Sequence, residues 1–263
     1  MSYTEEVETI SKLLTIKKVI HTFGFTELLR LIVRKLLTGN KRPPRIGLVD
    51  SENICSINEV LERLTKNDQI FKHMDIEKLR SEFDVIFDRT IRTNRESFFN
   101  SNYDLGEKLA FLSYSLIRIA KPVLVIETGV AAGISSTLIL SALSKNNYGT
   151  LRSFDITDKV GELIPNDLRN LWTLKVLNGL NLKDKLRREI KEIKNDFIFL
   201  HDSDHALKWQ EFELSMCIST GRCRFFLIDD VSPELVKFLK KRFRQDNIFL
   251  FQEVGKISAF TYL

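Results

Sequence analysis

The sequence predicts an α/β fold, in which a mostly parallel seven-stranded sheet ends in an antiparallel hairpin and follows a helical N-terminal region. From about residue 101, short apolar runs alternate with helix-like stretches, which is typical of βαβ units. The last two runs, residues 248–252 and 257–262, are only four residues apart, and Gly255 is available for a turn. A connection this short can join only antiparallel strands.

The individual elements follow from the apolar pattern. The run Val-Leu-Val-Ile at residues 123–126 comes directly after Pro122 and suits a strand that is buried on both faces. Four further strands precede the hairpin, at residues 151–155, 173–177, 197–200 and 225–228. Apolar residues at helical spacing predict helices at residues 5–21, 26–37, 56–64, 76–86, 105–119 and 134–143. We therefore divide the chain into a helical region, residues 1–100, and a sheet domain, residues 101–263.

The composition is that of a packed globular protein. Among 263 residues, 43% are hydrophobic and 29% are charged, and the net charge of +5 is too small to indicate nucleic acid by itself. The three cysteines fit neither a metal-ligand spacing nor a disulfide framework. No run of about 20 apolar residues could span a bilayer, and the first eight residues do not form a basic signal region. We expect a cytoplasmic protein.

The turn after the first strand has the features of a nucleotide site. Ligands of open parallel sheets bind at the carboxyl ends of the strands, where Gly129 and Gly133 can adopt unusual backbone angles. A dinucleotide fingerprint would need glycine at Glu127 and Ala132, and the pyrophosphate would face the Glu127 carboxylate. S-adenosylmethionine has no phosphate and carries an ammonium and a sulfonium. The charge therefore favours S-adenosylmethionine over NAD.

The pattern Glu127-x-Gly129-x-x-x-Gly133 resembles the first motif of class I, Rossmann-like methyltransferases. The resemblance implies that Glu127 helps to hold the cofactor's ammonium and that the glycines, with Val130 and Ser135, pass its amino-acid portion. It also implies the closing hairpin, because the family is similar in ending with an antiparallel strand pair. A glycine-bearing turn without a ligand is the alternative.

Two further positions are candidates for the cofactor's adenosine. Asp155 ends the second strand, 22 residues beyond Gly133, and a carboxylate there can accept both ribose hydroxyls. Its alternatives are a helix cap or a solvated loop acid. Gly179 follows the third strand at a position that resembles the loop that passes the adenine, although Asn178-Gly179 is also an ordinary turn.

Acidic residues and histidines follow the fourth and fifth strands directly. The sequence His-Asp-Ser-Asp-His occupies residues 201–205, and Asp229 and Asp230 follow residue 228. Carboxylates that lie close together repel one another unless a cation or proton sits between them. Mg²⁺ prefers oxygen ligands and would lower the pKa of a bound hydroxyl, while a nearby imidazole can accept the proton. The pattern therefore predicts chemistry on a hydroxyl at this edge.

These residues resemble the branch of methyltransferases related to macrolide-sugar and catechol-type O-methyltransferases. The resemblance implies that Asp202, Asp229 and Asp230 bind Mg²⁺ and that His205, with Asp202, is catalytic, His205 being the base. Catechol-type enzymes have Asp-Asn in the second loop, whereas this chain has Asp-Asp.

Simpler roles remain open for this segment and for the helix after it. The aspartates at 202, 204 and 230 could cap helices, and His201 could be a satisfied loop histidine. We expect Glu211 and Glu213 to be ordinary surface acids.

The leading hypothesis is S-adenosylmethionine-dependent O-methylation of a small molecule or sugar. An NAD-dependent oxidoreductase and a non-catalytic interaction protein with the same fold are the alternatives. Residues 15–45 contain eight lysines and arginines against the single acid Glu27. This segment could cover the active site, form a homo-oligomer contact or lie on an anionic membrane surface. No RNA-binding module is recognisable in it.

Overall fold

The computed structural model describes residues 54–67, 69–72, 75–93, 99 and 105–263. The predicted helices at residues 5–21 and 26–37, with the oligomer and membrane contacts expected of them, lie outside the described residues. The described helices are labelled here in chain order, as α1 (Ile57–Asn67), α2 (Ile76–Thr93), α3 (Glu107–Ala120), α4 (Ile134–Asn146), α5 (Leu182–Lys191), α6 (Leu207–Ser219) and α7 (Pro233–Arg242). Helices α1 and α2 belong to the same compact unit as the sheet, Arg45–Leu263, and the division of the chain at residue 101 stays a prediction.

The sheet confirms the predicted fold class. Its seven strands are β1 (Leu124–Thr128), β2 (Thr150–Asp155), β3 (Trp172–Val176), β4 (Phe197–His201), β5 (Cys223–Ile228), β6 (Ile248–Gln252) and β7 (Ile257–Tyr262). They lie in the order β3-β2-β1-β4-β5-β7-β6. Strands β1 to β5 are parallel, and β7 pairs antiparallel with both β5 and β6.

Strand β1 ends two residues later than its apolar run predicts. It pairs with β2 on one side and β4 on the other, and its five residues are all buried. Glu127, which we expected in the loop, is therefore a strand residue in register with Ser153. The ladder continues through two polar positions because neighbouring elements satisfy them, which an apolar pattern cannot show. Serine hydroxyls donate to Glu127, and the Thr128 hydroxyl donates to the Glu213 carboxylate.

Helices cover both faces of the sheet. Alternate β1 residues point to opposite sides, with Val125 in one core cluster and Leu124 and Ile126 in the other. Helices α1 to α4 pack on the Val125 side, and α5 to α7 pack on the opposite side. Within the described part of the chain, none of the helices is both long and apolar enough to cross a membrane.

The turn between β6 and β7 is tied to the first turn of α3. The Glu253 carboxylate accepts hydrogen bonds from the Leu109 amide at 2.9 Å and the Lys108 amide at 3.4 Å. Gly106, at the N-cap of α3, provides no side-chain cap itself. Glu253 thus satisfies backbone donors at the positive end of the helix and fixes the hairpin turn beside it.

Candidate functional site

The chain reverses direction across the sheet between β1 and β4. From β1 it continues through β2 to β3 on one side, and it then crosses to β4 and β5 on the other. The carboxyl ends of β1 and β4 thus border the crevice at the topological switch point, where ligands of open α/β sheets bind. The glycine turn, which contains Gly129 and Gly133, follows β1. The acidic segment, residues 202–205, follows β4.

The strand order identifies the architecture. Five parallel strands lie in the order 3-2-1-4-5, and the antiparallel strand β7 is inserted between β5 and β6. The inserted antiparallel strand distinguishes the methyltransferase fold from the dinucleotide-binding Rossmann fold, whose six strands are all parallel. The chain has the class I methyltransferase fold.

Comparison with solved structures returns O-methyltransferases at low identity. A putative O-methyltransferase from Klebsiella pneumoniae has a TM-score of 0.48 and 13% identity over 67% of this chain and 87% of that one. An O-methyltransferase from Bacillus cereus in complex with SAH has a TM-score of 0.47 and 13% identity, over 77% of this chain and 94% of that one. TomG, an O-methyltransferase from Streptomyces achromogenes in complex with SAM, has a TM-score of 0.49 and 15% identity, over 67% of this chain and 87% of that one. No protein-family model and no curated protein matches the sequence.

Glu127 is fully buried at the centre of a hydroxyl network. Its carboxylate accepts hydrogen bonds from the hydroxyls of Ser135, Ser136 and Ser153, at 2.6, 2.7 and 2.6 Å. Ser153 in turn accepts a bond from the Trp172 indole at 2.9 Å. Burial raises the pKa of Glu127, against the opposing effect of the three hydroxyls. Glu127 and Ser135 thus join β1 to α4 and β2, while their direct contact with a cofactor stays a prediction.

The two glycines of the turn are required by the chain's own packing. Gly129 has a φ of +82°, and a Cβ there would lie 2.2 Å from the Asp202 carbonyl oxygen. Gly133 has a φ of +95°, and its Cβ would lie 2.9 Å from the Cα of Gly161. Glycine therefore lets two protein segments approach the turn, whereas the sequence suggested that it makes room for a ligand. The Gly129 contact places the glycine turn directly against the acidic segment.

Asp155 connects the end of β2 to the same turn. Its carboxylate accepts hydrogen bonds from the amides of Val130 at 2.9 Å and Ile156 at 2.7 Å. It is therefore neither a helix cap nor a solvated acid, and burial raises its pKa against these backbone bonds. Asp155 therefore lies beside Val130, and the binding of a cofactor by these two residues stays a prediction.

Gly179 lies apart from these residues. It follows β3, which is separated from β1 by β2, and a Cβ there would meet open space. Its φ of +75° accounts for glycine without any ligand. Its predicted contact with adenine stays a prediction.

Three of the predicted catalytic and metal residues meet at the carboxyl ends of β4 and β5. Asp202, His205 and Asp229 each present a ligand atom within 4.8 Å of the others. Asp230 is buried next to them, with a left-handed φ of 52°, but does not belong to this group. Asp202 and His205 are half-buried and Asp229 is buried, so the group opens to solvent from the β4 side.

Helix capping does not explain Asp202 or Asp230. The N-cap of α6 is Ala206, without a side-chain cap, and that of α7 is Ser232, whose hydroxyl accepts from Leu235. Asp204, the third aspartate for which capping was an alternative, does contribute to a helix start, because it accepts a hydrogen bond from the Ala206 amide at 3.0 Å.

A lysine that the sequence analysis missed contacts this group. Lys256 Nζ lies 2.5 Å from Asp229 Oδ2, and Ser258 Oγ donates to Asp229 Oδ1 at 3.0 Å. Both oxygens of Asp229 are therefore engaged, one of them with a cation. A Mg²⁺ ion on Asp202 and Asp229 would have to sit beside an ammonium, which like-charge repulsion disfavours. The residues as arranged do not fit the predicted metal.

The sequence analysis also missed a buried pair, His201 and Glu213, that lies next to His205. Glu213, expected on the surface, is 1% exposed, and its Oε2 lies 2.6 Å from His201 Nδ1. Thr128 and Trp209 also donate to this carboxylate. His201 itself is the last residue of β4 rather than a loop residue. Glu213 lies four residues, about one helical turn, after Trp209 on α6. This spacing could have indicated that the two side chains share one side of the helix.

The His201 and His205 rings meet edge to face, with centroids 5.7 Å apart. Glu213 fixes the orientation of the His201 ring. The contact with His201 in turn restricts the orientation of the His205 ring. The geometry thus offers a positioned imidazole beside carboxylates, at a half-open edge and next to a glycine turn.

Proposed function

We propose that the protein is an S-adenosylmethionine-dependent methyltransferase that transfers the methyl group to a hydroxyl of a small molecule or sugar. The contact between Gly129 and the Asp202 carbonyl carries the proposal. It joins the turn expected to hold the methyl donor to the segment expected to activate the acceptor. Methyl transfer needs these two functions a few ångströms apart and in line.

The charge of this edge favours a cationic cofactor. Asp155 is close enough to Glu127 for its negative charge to raise the pKa of Glu127, in addition to the larger effect of burial. Asp202 and Asp229 extend the acidic region along the same edge. A pyrophosphate would be repelled here, whereas an ammonium and a sulfonium are attracted. This is why the oxidoreductase alternative is not favoured.

The chemistry requires one proton acceptor. The acceptor oxygen forms a bond to the methyl carbon as the bond from carbon to sulfur breaks, leaving neutral S-adenosylhomocysteine. His205 takes the hydroxyl proton, and the carboxylate of Asp202 stabilises the imidazolium that forms. Metal assistance is not part of the proposal, because Lys256 already contacts Asp229.

Isothermal titration of the full chain with S-adenosylmethionine and S-adenosylhomocysteine tests the cofactor. We expect one site for each, and an Asp155→Asn variant that binds about tenfold or more weakly because a charged hydrogen-bond acceptor is lost. Asp158→Asn, an exposed acid three residues farther on, is the matched control and should leave binding unchanged. Binding of NAD⁺ without binding of either methionine ligand would refute the proposal.

A second measurement separates the enzyme from an interaction protein that keeps the fold. Transfer of radiolabelled methyl groups to a panel of phenols, catechols and sugars should find an acceptor. His205→Asn should then lower kcat by about a hundredfold or more with little change in cofactor affinity, because it removes only the base. Equal rates for the variant and the unmodified chain would contradict the role of His205.

A further inference from the structure

Lys256 places an ammonium inside the acidic group. It ends the turn between β6 and β7, and only 16% of its side chain is exposed. Its Nζ contacts Asp229 Oδ2 at 2.5 Å, and the charges of Asp202 and Asp230 act on it as well. The Lys256 ammonium therefore forms an ion pair with a carboxylate that is almost fully buried.

Hydrogen bonds fix the backbone of Lys256 on two sides. The Glu253 amide donates to the Lys256 carbonyl at 3.0 Å, which closes the turn, and the Glu253 carboxylate is bonded to the start of α3. On the other side, the Val231 amide donates to the Ile257 carbonyl at 2.7 Å, which ties β7 to the segment that carries Asp229. Lys256 is thus anchored as part of the fold.

The carboxylates themselves show what the ammonium does. Ligand atoms of Asp202, Asp229 and His205 lie within 4.8 Å of one another, and two carboxylates at this separation repel each other, the more so because Asp229 is buried. A divalent ion is one solution to this repulsion. An ammonium with three N–H donors is another, and it leaves the second oxygen of Asp229 to Ser258.

We propose that Lys256 takes the place of a divalent metal ion in this site, so that the negative charge of the group formed by Asp202, His205 and Asp229 is reduced from within the chain and the group works without a bound metal. Lys256 acts here as a positioning residue, because it holds Asp229 and sets the charge around His205. Replacing Lys256 with a neutral side chain should therefore create a metal site where the unmodified protein has none.

The proposal concerns the site of the proposed methyltransferase, but its test needs neither cofactor nor acceptor. Mn²⁺ is titrated into the full chain, and the free ion is measured by electron paramagnetic resonance. The unmodified protein should show no site tighter than the weak background of its surface acids. Lys256→Met should gain one Mn²⁺ site per chain, with affinity at least about tenfold above that background, because a like charge has been removed.

Three variants make the result specific. Lys256→Arg keeps the positive charge and should bind no Mn²⁺, whereas Lys256→Met combined with Asp229→Asn should lose the gained site. Lys240→Gln, which removes an exposed lysine of α7, should behave as the unmodified chain. If Lys256→Met does not fold, as judged by its thermal melting curve, Lys256→Gln preserves a donor to Asp229 and replaces it.

One stoichiometric Mn²⁺ site in the unmodified protein, abolished by Asp229→Asn, would overturn the proposal. Failure of the folded neutral variants to gain a site would overturn it as well. Neither result depends on S-adenosylmethionine binding, so failure of the proposed function and failure of the lysine proposal remain distinguishable.

Discussion

Replacing Gly129 with alanine tests whether the glycine turn is shaped by the acidic segment that packs on it. The matched control is Gly179→Ala. Both glycines have positive φ, +82° and +75°, so both variants bear the cost of placing a side chain in the left-handed region. They differ in space: a Cβ on Gly129 meets backbone atoms of Asp202 and Ser203, whereas a Cβ on Gly179 meets nothing within 4 Å.

The difference can be estimated from the contacts. The left-handed conformation costs about 1 kcal/mol for alanine, and this is the whole expected loss for Gly179→Ala. In Gly129→Ala the Asp202 carbonyl oxygen, 2.2 Å from the new Cβ, must move away to the ordinary contact distance of 3.4 Å. Such overpacking costs about 1–3 kcal/mol. The movement also strains the bond from the Asp202 amide to the Thr128 carbonyl, worth about 1 kcal/mol. We expect a total loss of about 3–5 kcal/mol.

Urea unfolding followed by tryptophan fluorescence and circular dichroism measures both variants. Trp209, one of two tryptophans in the chain, donates to Ser203 and Glu213, so its share of the fluorescence reports on the acidic segment. A Gly129→Ala variant that lost no more free energy of unfolding than Gly179→Ala, within about 0.5 kcal/mol, would refute the packing argument.

Two further predictions concern buried carboxylates. Burial raises the pKa of Glu127 above its ordinary value of 4.5, so the folded state binds the proton more tightly and loses stability as pH rises from 4.5 through the folded pKa. Glu127→Gln should reduce this loss in urea unfolding curves taken between about pH 4.5 and 7.5, and an unchanged pH dependence would contradict the assignment. Glu253→Gln weakens the hydrogen bond to Leu109 and should lower the free energy of unfolding by about 1 kcal/mol. Glu234→Gln, in the exposed first turn of α7, should change it by less than about 0.5 kcal/mol, and equal losses would argue against Glu253 as a cap.

Much of the fold could be predicted from local pattern. The strands differ from their predicted bounds by at most two residues, because continuous apolar runs mark strands buried on both faces. Helix α2 extends to Thr93, beyond the predicted end at residue 86, because its later apolar residues, Phe87 and Ile91, pack on the same core. Such tertiary packing can prolong a helix past the point where its pattern is strongest.

The candidate site was predictable in position but not in its partners. Polar residues that directly follow buried parallel strands must gather at one edge, which is why Asp202 and Asp229 could be placed together from sequence. Glu213 was misassigned as a surface acid, because a charged residue on a helix is normally solvated. Its burial depends on His201 and Thr128, of which Thr128 is 85 positions away in the chain.

By itself, the sequence determined the parallel sheet, its closing hairpin, the glycine turn after β1 and the acidic runs after β4 and β5, since each of these follows from residues that are neighbours along the chain. Only the tertiary structure decided which charges meet. It buried Glu127 among three serines and brought Lys256 to Asp229 across 27 residues. The physical reason is that a charge can be buried only where a partner is supplied, and here strand order supplies the partner.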